Sequence, residues 1–228
     1  MLFPIGDDNI ERGHTAVFSY ALIVINICVF LFQQSMPEGL QASFVAHYGA
    51  IPAEITMGVD WQTLFTSMFL HGSWMHLLGN MLYLWIFADN IEATIGNGRF
   101  LLFYLLGGLA AGFMQIIVSP FSEVPCIGAS GAIAAVMGAY IVMFPKSRVR
   151  MLLLLFFIVF YVPSWVFLGI WFVQQLMSGV GALGMSAEDA GGVAWWAHIG
   201  GFAFGLASGI FFKRRFMHRK MDRLDPNL

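Results

Sequence analysis

The chain has 228 residues, of which 59% are hydrophobic and only 11% are charged. A soluble core of this size cannot hide so much apolar surface, so the composition excludes an ordinary water-soluble protein and predicts an integral membrane protein. The net charge of -2 is uninformative as a total, because orientation in a membrane depends on where the Lys and Arg residues lie.

Apolar stretches long enough to cross a bilayer, which takes about 20 residues, recur six times. They cover approximately residues 14–33, 70–91, 99–119, 126–144, 163–180 and 193–212. We therefore predict an all-α fold, a polytopic six-transmembrane-helix bundle forming a single domain over residues 1–228, with a basic tail at 213–228. The N-terminus carries Asp7, Asp8 and Glu11 in place of a basic region, so we expect no cleaved signal peptide.

Two connecting segments need a separate interpretation. Residues 34–62 are broken by Pro and Gly and predict short amphipathic pieces at the membrane interface. Residues 149–176 are too long for one span and too short for two, and Pro163 divides them. Because Pro is tolerated in a first helical turn, we place the fifth helix after Pro163. Residues 149–161 would then lie along the inner interface or pack beneath the bundle.

The basic residues orient the six spans. With six spans, all 11 Lys and Arg residues fall on the side of the two termini, and the opposite loops contain none. By the positive-inside rule both termini are cytoplasmic, and we expect a multi-pass protein of a bacterial inner (plasma) membrane. The residues counted are Arg12, Arg99, Lys146, Arg148, Arg150, Lys213, Arg214, Arg215, Arg219, Lys220 and Arg223.

Unusual polar residues cluster near the outer ends of three spans that run in the same direction. The second span carries His71, His76 and Asn80, the fourth carries Ser130, and the sixth carries His198. At about 1.5 Å per residue, Ser130 and His198 both lie roughly 6 to 9 Å below the outer ends of their helices. The five side chains could therefore meet in one cavity that opens outwards.

Each of these residues also has a simpler interpretation. Ser130 alone could be a helix cap or a small packing residue. His198 alone is more often hydrogen-bonded to a neighbouring helix than used as a base, and His76 and Asn80 could simply join helices. The shared depth is what favours a site.

A serine nucleophile needs a base, and a neutral imidazole is the commonest one. Burial disfavours the imidazolium and would keep His198 in the neutral form. Unpaired backbone N–H groups at the start of the fourth helix, together with His76 and Asn80 at i and i+4, could donate to a developing oxyanion.

The glycines have two uses. Gly201, Gly205 and Gly209 recur every fourth residue, as do Gly108 and Gly112, which is typical of faces where membrane helices approach closely. The glycines on either side of the serine, Gly128 and Gly131, would let a substrate backbone come near.

Other hydrolase chemistries fit less well. The lysine nearest to Ser130, Lys146, lies on the cytoplasmic side, and the chain has neither an HExxH motif nor a pair of intramembrane aspartates. Cys28 and Cys126 have neither a disulfide framework nor a metal-binding spacing. We expect no metal, no cofactor and no nucleic acid.

Three motifs carry a family resemblance: HGSWMHLLGNM over residues 71–81, GASGA over 128–132 and AHIGGFAFG over 197–205. Their residues and their order on the second, fourth and sixth spans resemble the rhomboid intramembrane serine proteases, over essentially the whole six-span core. The resemblance implies that Ser130 is the nucleophile and His198 the general base of a dyad.

The resemblance assigns further roles. His76, Asn80 and the Ser130 amide match the oxyanion hole, and His71 matches a second histidine near the outer mouth. Gly201 and Gly205 match a motif that packs the sixth helix against the fourth. The loop at 178–192 resembles a flexible cap over the site, and the fifth helix resembles the side where a substrate helix enters.

This chain departs from the family pattern at two places. Many rhomboids carry Trp-Arg in the first outer loop, where this chain has Trp61-Gln62, so the hydrogen bonding of that loop must differ. Many also carry an aromatic ring one turn after the nucleophile, where this chain has Ala134. We expect Trp196 or a neighbouring aromatic residue to hold His198 instead.

The sequence thus predicts hydrolysis of a peptide bond in or beside a transmembrane segment of a membrane-protein substrate within the lipid bilayer. Two alternatives remain open. A catalytically silent relative would bind transmembrane helices without cutting them. A transporter would normally carry an ionisable residue near mid-membrane, and the chain has no carboxylate or Lys there.

Overall fold

The computed structural model describes residues 2–8, 15–184 and 192–217. Over these residues the protein is a bundle of helices with a small antiparallel sheet. The helices are α1 (Val17–Gln34), α2 (Glu38–Tyr48), α3 (Pro52–Thr56), α4 (Thr63–Thr66), α5 (Trp74–Ile95), α6 (Asn97–Val118), α7 (Ser130–Met143), α8 (Ser164–Gly181) and α9 (Trp195–Phe212). The strands are β1 (Leu2–Gly6), β2 (Arg148–Leu153) and β3 (Ile158–Pro163).

Helices α1 and α5 to α9 occupy the six stretches that the sequence predicts as spans, within a few residues at most ends. In the described part of the chain, α1, α6 and α9 with its continuation to Met217 are long and apolar enough to cross a membrane, and α7 is a shorter apolar helix. Helix α8 begins directly after Pro163, as predicted. Residues 185–191 of the predicted 178–192 cap, the tail beyond 217 and Arg12 lie outside the described residues.

The segment between α1 and α5 is folded into short helices that carry the loop before α7. Ala50 and Cys126 form an isolated antiparallel bridge with N···O distances of 3.1 and 2.8 Å. At the Trp61-Gln62 position, the Gln62 amide donates to the Asp60 carboxylate at 2.8 Å. Trp61 itself is 51% exposed, as suits an aromatic ring at headgroup depth.

The all-α prediction missed a three-stranded sheet of order β1-β2-β3. Residues 149–161, expected to lie along the interface or under the bundle, form most of an antiparallel hairpin in which Arg148 pairs with Pro163 and Leu153 with Ile158. The N-terminal strand then pairs with the free edge of β2. An unbroken apolar run has no period that separates strand from helix, so the sequence pattern could not reveal the hairpin.

Helices α7 and α9 pack with their backbones almost in contact, as the glycine spacing predicts. A Cβ on Gly201 would lie 2.1 Å from the Gly131 carbonyl oxygen, and one on Gly205 would lie 2.0 Å from that of Ala135. From the other side, a Cβ on Gly138 would lie 2.2 Å from the carbonyl oxygen of Phe202. No side chain larger than hydrogen fits at these three positions.

The α6 glycines accommodate a different neighbour. A Cβ on Gly108 would lie 2.2 Å from the terminal methyl group of Met68, and one on Gly112 would lie 2.7 Å from Leu64. Gly108 and Gly112 therefore make room for side chains from α4 and from the residues directly after it, which we call the α4 region. The sequence had suggested instead that another long helix approaches this face.

A buried carboxylate joins α1 to α5. Glu92 is fully buried and accepts the backbone N–H groups of Phe18 and Ser19, both at 2.8 Å, and the Ser19 hydroxyl at 2.6 Å. These amides belong to the first turn of α1, where helix N–H groups have no partner within the helix and the dipole favours a negative charge.

A second carboxylate links the end of β1 to α5 and α7. Asp7 accepts hydrogen bonds from the Tyr140 hydroxyl and, at 2.9 Å, from the Asn90 amide. The pKa of Asp7 is raised to about 7, chiefly by burial and also by the neighbouring carboxylates of Asp89 and Asp8, against the opposing effect of these hydrogen bonds. Beside it, Asp8 forms a 3.1 Å salt bridge with Arg148, whose hydrogen bond lowers the pKa of Asp8.

The close contact of α7 with α9 predicts opposite effects for one substitution at two glycines. Gly205→Ala should lower the free energy of unfolding by at least about 1 to 3 kcal/mol, because the new methyl group collides with backbone that cannot move aside. Gly169→Ala should raise it by up to about 1 kcal/mol through helix propensity, since a Cβ there meets no atom within 4 Å. Denaturation of both variants in the same detergent measures the difference; equal effects would contradict the packing.

Asp7 predicts a pH dependence of stability. The pKa of Asp7 is higher in the folded protein than in the unfolded chain. Its contribution to the free energy of unfolding is therefore fully present below about pH 4 and is lost as the pH rises through about 7. Asp7→Asn keeps an oxygen that accepts both hydrogen bonds but carries no charge. The melting temperature of the variant should therefore be higher than that of the parent at pH 8, and the difference between the two melting temperatures should be smaller at pH 5. A constant gap from pH 5 to 8 would count against a titrating Asp7.

Candidate active site

Ser130 is the first residue of α7, and the loop before it has a specific shape. Gly128 has φ of 121°, a conformation that favours glycine, and its N–H donates to the Ser67 carbonyl oxygen at 2.9 Å. Together with the Ala50–Cys126 bridge, this bond fixes the path of the loop into the helix. The first N–H groups of α7 have no partner within the helix, and they surround the position of Ser130.

His198 lies in the first turn of α9 and faces Ser130. Its Nε2 atom is 2.8 Å from the Ser130 hydroxyl oxygen. One helical turn lower, the contact of Gly201 with Gly131 fixes the separation of the two helices. The two residues that the sequence predicts as a dyad are therefore within hydrogen-bond distance, and the glycine packing sets that distance.

The other ring nitrogen of His198 contacts a residue that the sequence analysis missed. The Gln175 side-chain oxygen on α8 lies 2.8 Å from Nδ1, and Gln175 is only 4% exposed. An amide oxygen only accepts hydrogen bonds, so the proton of the neutral imidazole is on Nδ1 and the Nε2 lone pair faces Ser130. The available signal was a Gln174-Gln175 pair in an apolar helix, because a polar group inside lipid needs a partner.

Aromatic rings complete the surroundings of His198. Trp171 and Trp195 have ring centroids 5.9 and 6.2 Å from the imidazole. Of the two possibilities that the sequence left open, the neighbouring aromatic residue Trp195 contacts the imidazole, whereas the Trp196 indole N–H donates to the Gly179 carbonyl oxygen at 3.1 Å. Ala134 is fully buried, and a Cβ on Gly201 would lie 3.3 Å from its methyl group. The position therefore belongs to the close contact of α7 with α9.

His76 and Asn80 on α5 converge beside Gly128. A Cβ on Gly128 would lie 2.7 Å from His76 Nε2 and 3.5 Å from Asn80 Nδ2. The Gly72 N–H donates to His76 Nδ1 at 3.4 Å, so neutral His76 carries its proton on the nitrogen that faces Gly128. Asn80 Nδ2 is buried and has no hydrogen-bond partner among the described residues. Two side-chain donors thus lie beside Gly128, two residues before Ser130.

His71 lies behind this pair. Its side chain is fully buried, and its ring meets His76 edge-on at 5.0 Å and Phe30 at 6.5 Å. Its carbonyl oxygen accepts the Gln33 amide at 3.0 Å. The structure therefore brings His71 against His76, and through that ring it contacts the site.

A small cavity of about 50 Å³ adjoins Ser130 between α6, α7 and the α4 region. Ser67 and Gln115 supply polar groups to its lining, and the Gln115 side-chain oxygen accepts the Ala197 N–H at 3.2 Å. The cavity is large enough for a water molecule, which could bond to these polar groups in an otherwise largely apolar wall. Across residues 2–8, 15–184 and 192–217, no group of three or more His, Cys, Asp or Glu side chains is arranged to hold a metal ion.

Comparison with known proteins identifies the family of the chain. Residues 58–215 match the family profile of the Rhomboid domain. The chain is 30% identical over 131 residues to the rhomboid protease GluP of Bacillus subtilis, covering 58% of this chain and 25% of that protein. It is 27% identical over 202 residues to the rhomboid protease GlpG of Klebsiella pneumoniae, covering 86% and 63%.

A mitochondrial relative extends the comparison. Rhomboid protein 1 of Saccharomyces cerevisiae is 28% identical over 218 residues, covering 93% of this chain and 58% of that protein. The chain thus spans less than two thirds of the length of each of these three relatives. The profile match covers more than half of the chain, including Ser130, His198 and every other residue of the site. This protein is an integral membrane protein that belongs to the rhomboid family.

Proposed function

We propose that this protein is an intramembrane serine protease that hydrolyses a peptide bond in or next to a transmembrane segment of its substrate. The observation that carries the proposal is the 2.8 Å contact of Ser130 Oγ with His198 Nε2, on an imidazole whose Nδ1 faces Gln175. Two of the relatives are named as rhomboid proteases.

The reaction begins with attack of the Ser130 oxygen on the scissile carbonyl carbon. His198 Nε2 takes the hydroxyl proton and later gives it to the leaving amine, which leaves an ester between Ser130 and the substrate. Water then attacks this ester, again with His198 as the base. Gln175 is a positioning residue, because its oxygen holds the proton on Nδ1 and so keeps Nε2 free to act as the base.

The oxyanion of the tetrahedral intermediate needs donors in a fixed position. The Ser130 backbone N–H, His76 Nε2 and Asn80 Nδ2 can supply three of them. The support is the convergence of both side chains on the space beside Gly128. The same space is why a glycine is needed there, since a methyl group on residue 128 would occupy the place of the substrate oxygen.

We place the site inside the membrane near its outer face, with six spans and both termini in the cytoplasm of a bacterial cell. Helix α7 has 14 residues and is therefore about 21 Å long, shorter than the roughly 30 Å hydrocarbon core. When the inner end of α7 is placed at the cytoplasmic boundary of the hydrocarbon core, Ser130 at the other end of α7 lies about 9 Å below the outer boundary of the core. The positions of the Lys and Arg residues support the orientation on which this depth is based.

Substrate choice follows from the chemistry of helices in lipid. Backbone amides of a regular transmembrane helix are hydrogen-bonded and shielded, so a substrate must unwind locally before Ser130 can reach its carbonyl carbon. We therefore expect substrates with helix-weakening residues, a small side chain near the cut, and entry beside α8. Helix α8 has the exposed apolar surface for such contact, including Trp165, Ile170 and Val173.

Substitution of the dyad tests the proposal. Purified Ser130→Ala and His198→Ala should each cleave a transmembrane substrate at least about 10³-fold more slowly than the parent, because neither variant can form the activated nucleophile. Ser208→Ala, which removes a hydroxyl from the other end of the bundle, should cleave normally. Equal rates for all four proteins would refute the dyad. Binding of substrates without cleavage by the parent, across a panel, would identify a silent relative.

The contact of Gln175 with His198 predicts that different substitutions of Gln175 lower kcat to different extents. Gln175→Leu should lower kcat by roughly 10- to 100-fold, equivalent to about 1.4 to 2.8 kcal/mol, because the wrong imidazole tautomer gains population. Gln175→Glu keeps an accepting oxygen and should recover most of the loss. Gln174→Leu is the matched control, since Gln174 is exposed on the same helix. Kinetics should show the change in kcat more than in KM; equal losses for the Leu and Glu variants would argue for packing alone.

A further inference from the structure

The turn between β2 and β3 exposes an unusual run of apolar side chains. All eight residues from 154 to 161 are hydrophobic or aromatic, and each is between 37 and 79% exposed, with Phe157 at the upper limit. Soluble surfaces rarely expose so large a contiguous apolar patch unless it contacts something. We call residues 148–163 the apolar hairpin.

Both faces of this hairpin are bare near its tip. Successive side chains of a strand point to opposite faces, and Ile158, Val159, Phe160 and Tyr161 are all exposed. A partner that packs on one face would cover only half of these side chains. A surrounding apolar medium would cover all of them.

The base of the hairpin has the opposite character. Lys146, Arg148 and Arg150 are exposed there, and residues 144–163 contain no Asp or Glu. The Arg148 side chain remains 63% exposed despite its salt bridge to Asp8, and its guanidinium group lies over the Tyr161 ring at 5.3 Å. Cationic side chains next to an apolar tip match the layering of a lipid monolayer, with phosphates outside and acyl chains inside.

We propose that the apolar hairpin inserts its tip into the leaflet next to the inner end of the bundle, with the basic residues at the lipid headgroups. The cytoplasmic side rests on the proposed topology, whereas insertion itself does not depend on proteolysis. The tip stops at the boundary between headgroups and acyl chains, about 5 to 10 Å deep. It goes no deeper because β3 is an edge strand, and its unpaired backbone groups would be costly in the hydrocarbon core.

The competing occupant is a second copy of this chain. The free edge of β3 could pair with another β3 and cover part of the apolar surface. Such pairing would satisfy the edge but would leave the tip residues of both faces exposed. Because the side chains on both faces of the hairpin are exposed near its tip, the observations favour lipid.

Spin labels can measure the depth of the tip in the full-length protein. Phe157→Cys, and separately Leu155→Cys, would be labelled with a nitroxide after Cys28→Ser and Cys126→Ser, and reconstituted in vesicles of phosphatidylcholine and phosphatidylglycerol. Lys146→Cys at the hairpin base is the matched control. Collision with oxygen, which enriches in lipid, and with a water-soluble nickel chelate would be compared at each site.

At the tip sites we expect several-fold less access of the nickel chelate than at residue 146, together with more access of oxygen. Equal nickel access at residues 155, 157 and 146 would overturn the proposal, because the tip would then lie in water. Low access of both reagents, with spin–spin broadening that disappears on dilution with unlabelled protein, would overturn it in favour of pairing between copies. Protease activity of the same samples reports separately on the dyad.

Discussion

The contact between α7 and α9 is the constraint on which the site depends. Ser130 and His198 lie on different helices, and their hydrogen-bond distance exists only because the two backbones meet at Gly131 and Gly201. Gly131 and Gly201 are each within three residues of the candidate dyad residue on the same helix. A change in the packing at these glycines therefore directly changes the distance between Ser130 and His198. In lipid there is no hydrophobic driving force between helices. Dispersion attraction must therefore hold α7 and α9 together, and small residues make it strong because they let the two backbones approach closely.

Polar side chains within the bundle act mainly as links between helices. Glu92 binds the first turn of α1, Gln175 joins α8 to His198 on α9, and Gln115 accepts an N–H group at the start of α9. Each would be costly if it faced lipid without a partner. Asn80 differs, because its buried Nδ2 has no partner among the described residues and lies 3.5 Å from where a Cβ on Gly128 would be.

The long helices could be predicted because each follows from an apolar run. The grouping of Ser130, His198, His76 and Asn80 was inferred from their depth along the spans, and their chemical roles stay predictions. Gln175 could not be assigned in this way, since its contact depends on the rotation of α8 about its own axis. The hairpin lies in an apolar run with no period, and β1 joins it from more than 140 residues away. For the same reason the sequence could not decide between Trp196 and a neighbouring aromatic residue, and Trp195 is the one whose ring contacts the imidazole.

The short length of α7 links the two ends of the molecule. A helix of 14 residues cannot reach both membrane surfaces, so other elements must complete its path at each end. At the N-terminal end of α7, the Gly128 N–H bond to Ser67 and the Ala50–Cys126 bridge fix the loop that leads to Ser130. At the C-terminal end, Tyr140 bonds to Asp7 and Ser147, so the residues that flank β1 and β2 hold the other end of the same helix. The sheet therefore supports the candidate site indirectly, because it helps to hold the helix that begins with Ser130.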